Sequence, residues 1–322
     1  MLSIANKQVD SVNRYFITGA AGFVAGHFIE HIRSTEPGAI ILGTDRYAAD
    51  LPGINDFYAL ELMDYAGVER LIVDFKPTAL IHFASFSSVA ESWTNPPASF
   101  LNNTNIFLNI VEAIRKNHLA CRVLSIGSSE QYGDVAPTDV PLSEDHPMNP
   151  VSPYAVARVA QENLSRIYAR SLGLDIVITR SFNHIGPGQR PVFVIPSIIK
   201  QFLEDVPGPV SLSVGDVSIV RDFLDVRDVV KAYDLLLKRG ISGVPYNVCS
   251  GTGISIGQLI EMISKATAKE YTIVIDPAKI RPSDNRIIIG DNSRLREATG
   301  WSPSIPLEKS IADIIANMKM SR

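Results

Sequence analysis

From Arg14 onward, continuous apolar runs alternate with stretches of helical period. The runs at 15–18, 39–44, 79–83, 122–126 and 175–179 are predominantly apolar rather than alternating, as strands buried on both faces are. Between them, 23–32, 65–74, 107–116 and about 153–170 place their apolar residues at helical spacing. Strands alternating with amphipathic helices predict an α/β fold built on a doubly wound parallel sheet. Residues 137–153 carry five prolines (Pro137, Pro141, Pro147, Pro150 and Pro153). No regular element fits there, and the stretch reads as a loop delivering the chain to a helix that opens at Pro153.

After Ser181 the alternation loosens and Gly and Pro accumulate, as in Gly186-Pro-Gly188. A smaller second lobe is expected there. It is not contiguous, because 229–238 reads as another sheet-covering helix and 246–249 as another strand. The expected division is a dinucleotide-binding domain over 14–182, completed by about 216–249. Residues 183–215 and 250–322 would form the substrate-binding lobe.

Composition narrows the class. The 322 residues are 46% apolar and 20% charged, an ordinary globular balance for one large domain or two intimate lobes. Thirty basic residues against 34 acidic ones give a net charge of -4. No Lys/Arg run stands out, so a nucleic-acid partner is not expected. Cys121 and Cys249 are the two cysteines, too few for a disulfide framework and suited to a reducing cytosol. The first ten residues lack a signal-peptide core, and no segment approaches the ~18 apolar residues of a membrane span. A cytoplasmic protein with no membrane partner is expected.

Gly19-Ala-Ala-Gly22-Phe-Val-Ala-Gly26 follows the first strand and opens the first helix. Glycines there permit a tight turn, close backbone approach to a pyrophosphate and close helix–sheet packing. Gly19, Gly22, Phe23 and Val24 are thus candidate cofactor contacts in a Rossmann-type sheet. Asp45 ends the second strand about 20 residues on, where a carboxylate accepts from ribose hydroxyls. That favours NAD slightly. Arg46 beside it could hold a 2′-phosphate and keeps NADP open, although the next residue along a strand turns to the opposite side. His27-Phe-Ile-Glu-His31 matches a zinc-protease pattern. It lies on the helix that must cover the sheet and has no clear third ligand, so no metal is expected.

Tyr154-Ala-Val-Ala-Arg158 sits near a helix start, with both side chains on one face. A cation beside a phenol makes it a tunable proton donor. Ser128-Ser129-Glu130 follows a strand end, where ligands sit in such sheets. Together with Gly19-x-x-Gly22-x-x-Gly26 and His82-Phe-Ala84, these motifs resemble those of the extended short-chain dehydrogenase/reductases over nearly the whole chain. Ser152-Pro-Tyr154, Arg180-Ser-Phe-Asn-His184-Ile-Gly-Pro-Gly-Gln189, Arg221-Asp-Phe223, Asp225-Val-Arg-Asp228, Asn247-Val-Cys-Ser-Gly251 and Arg281-Pro-Ser283 resemble the nucleotide-sugar branch. The motif around Asn183 is most similar to that of the GDP-4-keto-6-deoxymannose reductases, which make GDP-rhamnose.

The resemblance implies roles. Ser128 and Tyr154 would handle the sugar's C4 oxygen, with Glu130 and Arg158 in the catalytic set. Ala84 and Ser85 would line the nicotinamide ribose and phosphate path, and Glu61 and Leu62 the adenine, where the family usually has Asp at 61. Ser87, Ser128, Ser129 and Asn183 would contact substrate, and Arg221 and Arg281 would clamp its diphosphate. The resemblance also implies a homodimer formed through two helices per subunit. The family expects Lys at position 158. Arg keeps the charge but is not an equivalent exchange where geometry matters. The reading is NAD(P)H-dependent reduction of a GDP-4-keto-6-deoxyhexose at C4. The alternatives are a GDP-mannose 4,6-dehydratase, a nucleotide-sugar 4-epimerase, or a catalytically weakened nucleotide-sugar- or NAD-binding protein.

Overall fold

The computed structural model describes residues 12–204, 207–280 and 285–320. The first half alternates β1 (Arg14–Thr18), α1 (Phe23–Thr35), β2 (Ile40–Asp45), β3 (Asp56–Ala59), α2 (Tyr65–Phe75), β4 (Ala79–His82), α3 (Val89–Thr94), α4 (Pro96–Lys116), β5 (Arg122–Ser128), α5 (Pro153–Leu172) and β6 (Asp175–Ser181). Next come β7 (Asn183–Ile185), α6 (Val194–Leu203), β8 (Val210–Val214), β9 (Val220–Asp225), α7 (Val226–Arg239) and β10 (Pro245–Val248). The chain ends with β11 (Gly253–Ser255), α8 (Ile256–Thr267), β12 (Tyr271–Ile275), β13 (Ile287–Ile288), α9 (Ser293–Thr299) and α10 (Leu307–Met320).

Seven parallel strands form the central sheet in the order β10-β6-β5-β4-β1-β2-β3. One face buries Phe28, Ile32, Val229, Tyr233 and Leu236, drawn from α1 and α7. The other buries Val68, Ile72, Phe107, Ile110 and Tyr168, drawn from α2, α4 and α5. The strand order reverses at β1, which pairs with β2 on one side and β4 on the other. Ligands bind outside the carboxyl ends of the strands at such a reversal.

A separate apolar cluster joins α6, α8 and α10 to β8 and β9, with Ile199, Phe202, Leu212, Leu259 and Ile314 all buried. Here the strands pair differently: β9 lies between β11 and β13 and also pairs β7, and β8 pairs β12. The proline-rich stretch forms no long element. It folds back through Gly133, which takes φ +68 and touches the carbonyl of Asn149.

Two details depart from the sequence reading. α4 begins at Pro96, capped by Asn95 accepting from Ala98 N, well before the apolar period starts. Gly26 does not pack helix against sheet, because a Cβ there would meet nothing within 4 Å. The fully buried Ala25 and Phe28 make that contact.

Two glycine replacements should therefore act in opposite directions. Gly133→Ala places a Cβ on the Asn149 carbonyl in a left-handed conformation, and should cost about 2–4 kcal/mol. Gly26→Ala enters open space in a helix interior, and should gain about 0.5–1 kcal/mol. Urea denaturation midpoints check both, and a shift of the two variants in the same direction would contradict this account.

Candidate active site

The turn after β1 is fixed by Gly19. It takes φ +67, and a Cβ would stand 2.7 Å from Ala84 N, so only glycine lets this loop lie against the exit of β4. Gly22 N-caps α1 with no side-chain cap and no acidic residue in the first turn. The helix therefore presents backbone N–H groups toward the sheet reversal, a donor set suited to a pyrophosphate. Phe23 and Val24 open α1 and pack on the core beneath it.

Asp45 sits beside the same turn. Its Oδ2 accepts from Ala21 N at 3.3 Å and its Oδ1 from Arg46 N at 2.8 Å. The exposed Glu61 accepts from Met63 N at 3.2 Å. The Leu62 side chain is buried, and its carbonyl accepts from Asn109 Nδ2 at 2.8 Å. Ala84 N donates to Thr18 Oγ1 at 3.3 Å. Ser85 is half-buried and Ser87 exposed, just before Ser88 caps α3. A glycine cradle, a free helix N-terminus and a carboxylate at the β2 end fit a dinucleotide.

At the end of β5, Ser128 leads into a 3-10 turn over Ser129–Tyr132. Ser128 Oγ accepts from Glu130 N at 3.3 Å, and Ser128 N donates to Gln131 Oε1 at 2.8 Å. Ser129 is buried and Glu130 half-buried on this turn. Gly127 leaves room for the Gln131 amide, where a Cβ would collide with it.

Across from this turn, Ser152 caps α5 by accepting from Ala155 N at 3.1 Å, which sets Tyr154 in the first helical turn. Arg158 lies one turn on, only 4% exposed. Its Nε donates to Tyr154 Oη at 3.2 Å, and its Nη1 donates to Ile126 O at 3.0 Å and Gln161 Oε1 at 2.6 Å. Gln161 Nε2 in turn donates to Ser125 Oγ at 3.0 Å, and Ser165 Oγ donates to the same oxygen at 2.9 Å. Arg158 Nη2 makes no hydrogen bond among the described residues.

Gln161 and Ser165 were not singled out from sequence, yet they carried a signal. Positions 154, 158, 161 and 165 form a polar stripe at helical spacing on the face that must cover the sheet, where apolar residues belong.

His82, at the end of β4, is a further buried polar group. Its Nδ1 lies 2.9 Å from Thr18 Oγ1, and its Nε2 has no partner. Burial, then the nearby Arg158 charge, holds its pKa down to about 3, so it stays neutral.

Among the β7–β13 strands, Asn183 in β7 donates from Nδ2 to Asp222 O at 3.5 Å. Arg221 in β9 donates from Nη1 to Val220 O at 2.9 Å and Asn285 O at 2.6 Å. β7 pairs with β9, which brings these two residues onto neighbouring strands. Arg281 lies outside the described residues. The two histidines of the zinc-like pattern have structural partners: His27 Nε2 meets Pro187 O at 2.9 Å, and His31 Nε2 meets Asp234 Oδ2 at 3.0 Å.

A GDP-mannose 4,6 dehydratase family model matches residues 16–314. GDP-6-deoxy-D-mannose reductase of Pseudomonas aeruginosa is 34% identical over 94% of this chain and 96% of its own length. UDP-glucose 4-epimerase of Mycolicibacterium smegmatis is 29% identical over 94% and 97%. Among solved structures, RMD from Pseudomonas aeruginosa complexed with NADPH superposes with a TM-score of 0.84 at 32% identity, covering 97% of this chain and 99% of that one. Thermus thermophilus UDP-glucose 4-epimerase in complex with NAD has a TM-score of 0.86 at 28% identity, covering 96% and 100%. No described helix is long and apolar enough to cross a membrane. With a glycine cradle at the sheet reversal and a Ser128–Tyr154–Arg158 set at the strand ends, the chain belongs to the GDP-mannose 4,6-dehydratase family of extended short-chain dehydrogenase/reductases.

Proposed function

We propose that this protein reduces the C4 keto group of a GDP-linked 4-keto-6-deoxyhexose, giving GDP-rhamnose or its C4 epimer. The observation that carries the reading is whole-chain similarity to a GDP-6-deoxy-D-mannose reductase at 34% identity, against 26–31% for dTDP-glucose 4,6-dehydratases and 29% for a UDP-glucose 4-epimerase. When bound, the nicotinamide of NAD(P)H supplies hydride to the sugar's C4. Gly19, Gly22, Phe23 and Val24 hold its pyrophosphate side, Asp45 and Arg46 the adenosine ribose, Glu61 and Leu62 the adenine, and Ala84 and Ser85 the path to the nicotinamide.

Tyr154 donates its phenolic proton to the C4 oxygen while Ser128 Oγ orients that oxygen. Arg158 is positively charged throughout and offers no acceptor. The N–H it gives to the phenol oxygen leaves the Tyr154 hydroxyl hydrogen for substrate and stabilises the negative charge left as the proton departs. Arg158 Nη2 is the donor remaining for a cofactor ribose hydroxyl. This ordered guanidinium supports an adapted catalytic centre over a weakened one. Glu130 stands beside Ser128, where a dehydratase would need a base, and fits either reaction. Ser87, Ser129, Asn183, Arg221 and Arg281 hold the nucleotide sugar, with the two arginines suited to its diphosphate.

The reading places the protein in the cytoplasm, consistent with buried, unpaired Cys121 and Cys249. It also makes the protein a homodimer. Phe100 and Leu101 on α4 and Val156, Ile167 and Leu172 on α5 are exposed apolar residues on adjacent helices, a surface suited to a second copy.

The direct test is incubation with GDP-4-keto-6-deoxymannose and each reduced cofactor. A reductase consumes one NAD(P)H per product sugar. No oxidation of either reduced cofactor with this substrate, together with formation of the 4-keto-6-deoxy sugar from GDP-mannose or C4 inversion of a 4-hydroxy nucleotide sugar without net cofactor consumption, would overturn the assignment in favour of a dehydratase or an epimerase. In the same assay Tyr154→Phe removes the proton donor and keeps the ring. Turnover should fall about 10²–10⁴-fold with cofactor binding unchanged, and turnover within threefold of wild type would remove Tyr154 from the role.

Arg158→Lys replaces a fork that meets Tyr154, Ile126 and Gln161 together with a single ammonium that cannot span them. We expect turnover to drop on the order of tenfold and the pH–rate profile to shift. Gln161→Ala should move the same profile in the same direction by less. A lysine variant faster than wild type would show that the site is not built around arginine.

A further inference from the structure

Arg46 follows β2 and Phe86 follows β4, the two strands that flank β1. The residues therefore approach one another across the exit of β1, above the glycine turn. The Arg46 guanidinium carbon lies 5.3 Å from the centre of the Phe86 ring and 5.9 Å from that of Tyr47. This departs from the strand-alternation expectation, which turned Arg46 away from the ribose side. The loop bends as β2 ends, and the side chain folds back across the turn.

Phe86 is itself fixed. The fully buried Asn103 of α4 accepts from Phe86 N at 2.9 Å and donates to Phe86 O at 3.1 Å. The half-buried ring therefore projects from a backbone position fixed on both its N–H and its carbonyl. The guanidinium above it makes no ion pair and no side-chain hydrogen bond among the described residues, and the adjacent Asp45 carboxylate accepts only backbone N–H groups. A cation–π contact uses the face of a guanidinium and leaves its N–H edge available. An exposed arginine would ordinarily lose side-chain freedom on binding an anion, and the ring has already taken most of it.

We infer that Phe86 is a specificity-determining residue for the cofactor: it holds Arg46 ready to receive the 2′-phosphate of an adenosine ribose, so that NADPH is accepted alongside NADH although Asp45 favours the unphosphorylated ribose. The inference rests on a dinucleotide lying at the Gly19–Gly22 turn. Asp45 and Arg46 then divide the work. The carboxylate accepts from free ribose hydroxyls, and the guanidinium donates to a phosphate when one is present.

Binding measured without turnover tests this. Isothermal titration calorimetry with NADP⁺ and NAD⁺ on the whole protein gives two dissociation constants per variant. Phe86→Ala should weaken NADP⁺ roughly three- to tenfold and leave NAD⁺ within twofold. Arg46→Ala should weaken NADP⁺ by at least as much, and the double variant should be no weaker than Arg46→Ala alone, because Phe86 acts through Arg46. Phe86→Leu, which keeps apolar bulk and backbone contacts without a π face, should behave as Phe86→Ala if the alanine variant folds poorly. Wild-type NADP⁺ binding should weaken more steeply with salt than NAD⁺ binding. An unchanged NADP⁺/NAD⁺ ratio in the Phe86 variants, or equal loss of both ligands, would overturn the Phe86 assignment while leaving the dinucleotide site in place. Failure of the wild type to bind either dinucleotide would overturn both.

Discussion

A single buried carboxylate ties together the carboxyl ends of β5 and β6 and the helix α5 beside them. Glu162 projects from α5 with 1% of its side chain exposed. It accepts both arms of Arg180 from β6, at 2.9 and 2.8 Å, together with Arg166 Nη2 at 2.7 Å and Gln131 Nε2 at 2.6 Å. Burial alone would raise its pKa, but the Arg180 hydrogen bonds and charge, helped by Arg166, hold it below the ordinary carboxylate range. Arg180 spends its remaining reach on Glu144 O and lies over the Tyr132 ring. A network this dry is tolerable because each member is paired. Removing one partner would strand a charge where water cannot reach it.

The consequence runs outward to the chemistry. Gln131 gives one end of its amide to Glu162 and the other to Ser128 N. The 3-10 turn bearing Ser128, Ser129 and Glu130 is thus registered against α5, the helix that carries Tyr154 and Arg158. Ser128 and Tyr154 come from elements with no covalent reason to keep their distance. The Glu162 network and the Arg158–Gln161–Ser125 chain supply that reason on neighbouring positions of one helix.

These two chains also show what the sequence could and could not reveal. The central strands were legible because a parallel strand covered on both faces is apolar throughout, as in Phe16-Ile17 and Leu80-Ile81. β3 was not, since Asp56–Ala59 is an edge strand with no buried residue. The first half of α4 was hidden because Pro-Pro-Ala-Ser-Phe-Leu-Asn-Asn reads as a loop until Asn95 is seen to cap it. The strands from β7 to β13 apart from β10 mix parallel and antiparallel pairing and mostly interleave polar with apolar residues, as in Val220–Asp225, so the buried-strand pattern does not mark them. Of the site, Gly19, Ser128 and Tyr154 were legible through their spacing. Gln131 and Glu162 were not, because a Gln or Glu on a helix reads as solvent-facing until the sheet beneath supplies its partners, and Gln161 showed only as part of the polar stripe on α5.

The arginine at position 158 follows from the same burial logic. A lysine there would bring one compact, strongly hydrated charge with no planar fork to span several acceptors. The guanidinium is paired before any ligand arrives: Ile126 O and Gln161 Oε1 hold Nη1, and Tyr154 takes Nε. Its charge is buried at the cost of solvation and offset by three fixed acceptors. The same positive charge helps keep His82 neutral beside it, so a second cation does not accumulate behind the tyrosine. The guanidinium is therefore a rigid charge ordered by the fold. That ordering needs polar facing positions on α5 and β5, which Gln161 and Ser125 provide.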